Sequence, residues 1–104
     1  MRHVVWTEEA RRNYREAIRY IAQENPPAAR MLQDRLTKAI SLLVRRPIGR
    51  PGRVPGTYEK SVLRTPYIVA YARSESAITI LAVVHARQAW PRSGQQANDE
   101  DQLP

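Results

Sequence analysis

The run Ala77-Ile78-Thr79-Ile80-Leu81-Ala82-Val83-Val84-His85-Ala86-Arg87-Gln88-Ala89-Trp90 decides how this chain is read. Its first part is almost unbroken apolar sequence rich in Ile and Val, well short of the roughly 18 residues of a membrane span. Bounded by polar residues, it predicts a strand over residues 77–85 with little solvent on either face. His85, Arg87 and Trp90 follow where the apolar run stops, so the strand delivers chemistry-bearing side chains at its C-terminal end.

Working outward, residues 57–63 and 67–73 also read as strands, separated by the turn Thr65-Pro66. With Ser74-Glu75-Ser76 as a second turn, the three strands form an antiparallel meander. Strict alternation across a tight turn at 74–76 puts Ile68, Ala70, Ala72, Ile78, Ile80, Ala82 and Val84 on one face, small and aliphatic and suited to helices. Tyr67, Val69, Tyr71, Thr79, Leu81, Val83 and His85 then share the other. With no helix left to cover it, that second face is expected to be an open apolar surface rimmed by Arg73, His85 and Arg87, and so a place where a partner binds, the alternative being that Trp6, Trp90 or the tail folds over it.

Upstream, the alternating Pro and Gly of residues 47–56 exclude a regular element. Thr7 reads as a helix N-cap with Glu8 and Glu9 in the first turn, where the helix dipole favours carboxylates. Ala10, Tyr14, Ala17, Ile18 and Ile21 recur at helical spacing, and the helix runs to about residue 24. Asn25-Pro26-Pro27 breaks it and opens a second helix bearing Ala29, Leu32, Leu36, Ala39, Ile40 and Leu43 on one side, stopped by Pro47. Residues 3–6 form a short edge strand. The expected fold is α+β: a two-helix hairpin packed on one face of an antiparallel sheet, in the order β-α-α-β-β-β.

The 104 residues fit one domain, placed at 1–91, with a polar tail over 92–104 expected to be disordered. No cysteine is present, which removes disulfides, thiol nucleophiles and cysteine-based metal sites, and fits a soluble cytoplasmic protein. The net charge is +7, and between Asp34 and Glu59 there is no acid at all but six basic residues: Arg35, Lys38, Arg45, Arg46, Arg50 and Arg53. Such a field attracts polyanions or an acidic protein. His3 and His85 without paired carboxylates make no metal site, and Gly49 and Gly52 lack the Lys-Ser/Thr of a phosphate loop, so no cofactor is expected.

Several of these elements carry a family resemblance: Trp6-Thr7 leading into the first helix with Ala10; the Asn25-Pro26 break followed by Ala28-Ala29; Pro47-x-Gly49-Arg50-Pro51-Gly52; Gly56-Thr57; Pro66-Tyr67-Ile68-Val69-x-Tyr71; and above all Val84-His85-x-Arg87-x-x-Trp90-Pro91. Over residues 3–91 the chain resembles the RelE/ParE toxin superfamily of type II toxin–antitoxin systems, nearer the ParE-like, plasmid-stabilisation branch. One departure is Tyr58, where the strand after Gly56-Thr57 often begins with Arg. The resemblance implies a toxin neutralised by a cognate antitoxin in a hetero-oligomer.

Two activities follow from it. The ParE-like branch poisons DNA gyrase, which needs only a recognition surface, and Arg50, Arg53, Tyr58, Arg87 and Trp90 are the residues expected to provide it. Antitoxin contacts are expected at Tyr67, Val69, Tyr71, Leu81, Val83 and Arg73. The RelE-like alternative is ribosome-dependent mRNA cleavage, with His85 as acid or base and Arg87, Arg64, Arg73 and Lys60 stabilising phosphorane charge. A third possibility is a non-toxic basic module that binds nucleic acid or protein. The His-x-Arg-x-x-Trp ending favours the gyrase reading.

Overall fold

The computed structural model describes residues 2–88, 90 and 91 of the chain, so the expected tail over 92–104 lies outside the described residues. Strand β1 (His3–Trp6) is followed by helices α1 (Glu8–Ala22) and α2 (Pro26–Arg45) and strands β2 (Arg50–Pro51), β3 (Tyr58–Ser61), β4 (Tyr67–Arg73) and β5 (Ala77–His85). The five strands form one sheet in the order β1-β5-β4-β3-β2. Each helix starts where its cap residue dictates. The Thr7 hydroxyl accepts from the Ala10 N–H at 3.1 Å and the Asn25 side chain from the Ala28 N–H at 3.1 Å, with prolines at the first two positions of α2.

The meander β3-β4-β5 is antiparallel, but β1 joins β5 in parallel, so the sheet is mixed. The helical hairpin separates β1 from the meander, so no tight turn dictates its direction against β5. The Pro/Gly loop also differs from expectation, because Arg50 and Pro51 pair with Glu59 and Tyr58 as a two-residue outer strand. Proline is tolerated there because an edge strand has a side that owes no hydrogen bond.

The face assignment is the main correction. The register between β4 and β5 shifts between Ala70 and Tyr71: Ala70 pairs with Ala82, yet Tyr71 pairs with Ile80, leaving Leu81 as a bulge. The alternation of β5 therefore reverses at Leu81. Tyr67, Val69, Tyr71, Ile78, Ile80 and Val83 lie in the core beneath the helices, with Leu32, Leu36 and Leu43 of α2. Ile68, Ala70, Ala82 and Val84 form the opposite, smaller cluster, onto which Trp90 packs. For β4 and for β5 beyond Leu81 the face expected to be open is thus the face the helices cover, whereas Ile78 and Ile80 lie beneath the helices as expected.

Helix α1 completes the bulged strand. Strand β1 stops at Trp6, opposite Ile80, so β5 beyond that point has no strand on that side. The Thr7 hydroxyl donates to the Ile80 carbonyl at 3.0 Å, and Asn13 Oδ1 accepts the Val83 N–H at 3.1 Å. Replacing Asn13 with Ala orphans that buried N–H. The expected loss is about 1–3 kcal/mol, read as a fall in melting temperature of roughly 4–8 °C per kcal/mol. An unchanged melting temperature would show that Asn13 has no such role.

Candidate functional site

The basic loop is not a set of free cations. Glu59, only 4% exposed, sits in β3 opposite Ala70 and so on the Trp90 side of the sheet. Its carboxylate accepts the Arg53 N–H at 3.0 Å and forms ion pairs with Arg53 Nε at 3.3 Å and Arg50 Nη2 at 3.4 Å. Arg53 Nη1 continues to the Gln88 carbonyl at 3.1 Å, and the Gln88 side chain accepts the His85 N–H at 2.7 Å. One carboxylate thus ties the loop to the turn that follows β5. The sheet face that carries no helix is closed by Trp90 and this arginine bridge.

A second cluster lies at the far end of β4. Tyr58 stacks on Tyr71 with ring centres 5.7 Å apart, and the Arg73 guanidinium lies 4.1 Å over the Tyr58 ring. Arg73 also donates to the Pro47 carbonyl at 2.8 Å and to the Tyr58 hydroxyl at 3.1 Å. Gly49 fits because it has no side chain: a Cβ there would lie 2.6 Å from Tyr71 Oη and 2.8 Å from the Glu59 carbonyl oxygen. Burial pushes the Tyr71 phenol above its ordinary value, with the neighbouring Arg73 charge opposing the shift. Burial does the same to Tyr67, supported by Tyr20.

His85 lies at the other end of β4, paired with Tyr67 and in edge contact with its ring at 5.5 Å. Its Nδ1 accepts the Arg87 N–H at 3.1 Å, so a neutral ring carries its proton on Nε2. A cleft of about 260 Å³ beside it is lined by Glu16, Tyr20, Tyr67 and His85 among others. Arg87 is exposed.

The expected ribonuclease set is dispersed. Arg73 and His85 sit at opposite ends of the seven-residue β4, a separation of roughly 20 Å. Lys60 and Arg64 instead line a depression against α2. The expected antitoxin set is also divided. Tyr67, Val69, Tyr71 and Val83 are core residues, Leu81 is half-buried at the bulge, and Arg73 is exposed. Of the expected gyrase-facing set, Arg50, Arg53 and Tyr58 are held by the contacts above and Trp90 by the sheet. Among the described residues no three His, Asp or Glu side chains gather as a metal set, and no helix is long and apolar enough to cross a membrane.

Sequence reasoning missed Glu59, although one signal was available. It is the first acid after a long basic stretch, and it lies within a strand. A lone carboxylate in such a place is the natural anchor for neighbouring arginines.

Comparison with known proteins agrees with this architecture. A family model described as the ParE toxin of type II toxin-antitoxin system, parDE, matches residues 4–90. A Sinorhizobium fredii protein named "Putative toxin Y4kP" is 37% identical over 92 residues, covering 88% of this chain and 95% of that protein. A solved structure described as the chromosomal ParDE TA system from P. aeruginosa superposes with a TM-score of 0.74 at 20% identity, covering 82% of this chain and 96% of that one, a likeness of fold. With the helical hairpin, the meander and the parallel first strand in place, this chain belongs to the ParE toxin family of type II toxin–antitoxin systems.

Proposed function

We propose that this protein acts in the cytoplasm as a toxin that inhibits DNA gyrase by surface recognition, and that a cognate antitoxin neutralises it. Family membership supports the toxin reading, and one geometric observation favours recognition over RNA cleavage. The candidate acid–base and charge-stabilising groups are spread over opposite ends of the sheet, with Arg73 and His85 at the two ends of β4. Metal-free RNA cleavage needs such groups within hydrogen-bond reach of one phosphate.

What is preorganised is a cationic surface. Glu59 fixes Arg50 and Arg53, and Arg73 lies over Tyr58. The resemblance expects an arginine at position 58, and Arg73 brings a guanidinium to the ring that stands there instead.

The test is induction of the chain in bacterial cells, with gyrase supercoiling and mRNA cleavage in a translating extract assayed side by side. The expected result is growth arrest, impaired supercoiling and intact mRNA. His85→Ala is expected to keep toxicity within about threefold, because His85 here shapes a turn and donates no catalytic proton. Codon-specific transcript cleavage that is lost in His85→Ala, with gyrase unaffected, would replace this reading with the ribonuclease one.

A further inference from the structure

Beyond Trp6 strand β1 no longer covers β5, and two amide side chains stand in for it. Asn13 Oδ1 accepts the Val83 N–H at 3.1 Å, and Gln88 Oε1 accepts the His85 N–H at 2.7 Å. An amide that gives its oxygen to a backbone N–H keeps its NH2 hydrogens available. Neither NH2 group has a partner among the described residues. His85 is in the same position. Its Nδ1 accepts the Arg87 N–H at 3.1 Å, so the neutral ring offers a third donor at Nε2. All three residues line the cleft of about 260 Å³ between α1 and the ends of β4 and β5.

The opposite wall comes from α1, where Glu16 and Tyr20 share one helix face with Asn13. Glu16 is exposed and makes no ion pair among the described residues, although Arg12 and Arg19 lie one turn away on either side and the chain carries a net charge of +7. Tyr20 is 71% exposed and stands at the mouth. Tyr67 is buried and forms the inner wall, its ring in edge contact with His85. The cleft therefore sets one carboxylate against three N–H donors, with an aromatic ring free at the entrance.

We propose that this cleft binds an unpaired guanine base. Glu16 accepts from the adjacent N1–H and N2–H groups of guanine, the donors of Asn13, Gln88 and His85 meet its O6 and N7, and Tyr20 stacks on the ring. Other ligand classes satisfy only half of the site. A cation would suit Glu16 but leave three donors idle, and a simple anion would suit the donors but face Glu16. Among the neutral bases, adenine, cytosine and uracil each carry a single donor group, so none fills both carboxylate oxygens. The volume falls below the roughly 300 Å³ at which clefts begin to hold drug-sized ligands, and suits one base. Its phosphate stays outside, where Arg12 and Arg19 flank the mouth. A free guanine nucleotide and a guanine in a single strand share this chemistry, whereas a duplex hides the edge that Glu16 reads. The cleft opens on the helix side of the sheet, away from the Glu59 bridge, and the inference does not rest on the gyrase reading.

The test titrates the full chain with GMP, AMP, CMP, UMP and inosine monophosphate, and with a single-stranded oligonucleotide containing one guanine. NMR follows the side-chain amides of Asn13 and Gln88. GMP is expected to shift both amides and to bind at least about tenfold more tightly than AMP, CMP or UMP. Inosine monophosphate, which lacks the N2 amine, is expected to bind about tenfold more weakly than GMP. Glu16→Gln and Tyr20→Ala are each expected to weaken GMP by about tenfold, and Tyr20→Phe to leave it unchanged. Both side chains are exposed, so these variants should keep the parental melting temperature.

The two sources of guanine are then distinguishable. Tighter binding of the oligonucleotide than of GMP, lost in Arg12→Ala or Arg19→Ala, identifies a single strand as the ligand. Equal binding of the two identifies the free nucleotide. No amide shift at millimolar GMP, shifts confined to the loop of Arg50 and Arg53, equal affinity for all the nucleotides, or indifference to Glu16→Gln would each overturn the proposal.

Discussion

Tyr71→Ala is expected to cost the fold about 3–5 kcal/mol. Tyr71 is fully buried, stacks on Tyr58 and lies against Gly49. Its removal opens a cavity at the junction of the loop, β3 and β4 and strands the Arg73–Tyr58 pair. Tyr71→Phe is the informative companion. The Tyr71 hydroxyl has no hydrogen-bond partner among the described residues, so the phenylalanine variant should match or exceed the parent by up to about 1 kcal/mol.

The same residue gives a pH dependence with a definite sign. Burial raises the folded-state pKa of Tyr71 and of Tyr67 above the ordinary 10.0. The unfolded chain therefore loses its phenolic protons first. The stability these two residues contribute is complete below about pH 10 and is lost as pH rises through the folded-state values. Urea melts between neutral pH and pH 11 should show this decline, and Tyr71→Phe should make it shallower. An equal decline in both proteins would assign it to other groups.

Glu59→Ala is expected to cost about 2–4 kcal/mol. Removing one partner of a buried ion pair leaves the others unbalanced, an effect of roughly 3–5 kcal/mol in a closed interior. Here the two arginine side chains are 53% and 37% exposed and can rehydrate, which lowers the figure. Two consequences separate this from a general loss of stability. The Arg53 bridge to Gln88 should slacken, and Trp90 should become more accessible to a collisional quencher, measured in a Trp6→Phe background so that only Trp90 reports. Glu59→Gln, which keeps an acceptor for the Arg53 N–H, should recover most of both effects. Unchanged quenching in Glu59→Ala would show that the carboxylate does not hold the loop against the C-terminal turn.

Much of this architecture was legible in the residues. Thr7 and Asn25 are helix caps by chemistry, Pro26 and Pro47 bound α2, and polar turns separate the strands of the meander, all as expected. The faces of β4 and of the end of β5 were not legible, for two physical reasons. Leu81 bulges inside an unbroken apolar run, and a bulge that substitutes one aliphatic residue for another leaves no trace in a two-residue period. Size also misled. The helices carry Ala10, Ala17 and Ala39 toward the sheet, so the facing layer must be large, and Tyr67 and Tyr71 fill it. The smaller face, with Ala70 and Ala82, is shaped for the flat ring of Trp90. The candidate site was half-visible. Its arginines were apparent, but their capture by Glu59 depends on a pairing between β2 and β3 that the Pro/Gly loop conceals.

The parallel union of β1 with β5 also has a temporal consequence. Residues 3–6 find their neighbours at 77–80, across almost the whole described chain. During synthesis the first strand must therefore wait, its edge unsatisfied, until the last strand has emerged. The hairpin of α1 and α2 can form early, but its buried face has no sheet to settle on before then. The surface that joins the two ends of the sheet thus comes into being only after β5 has been made.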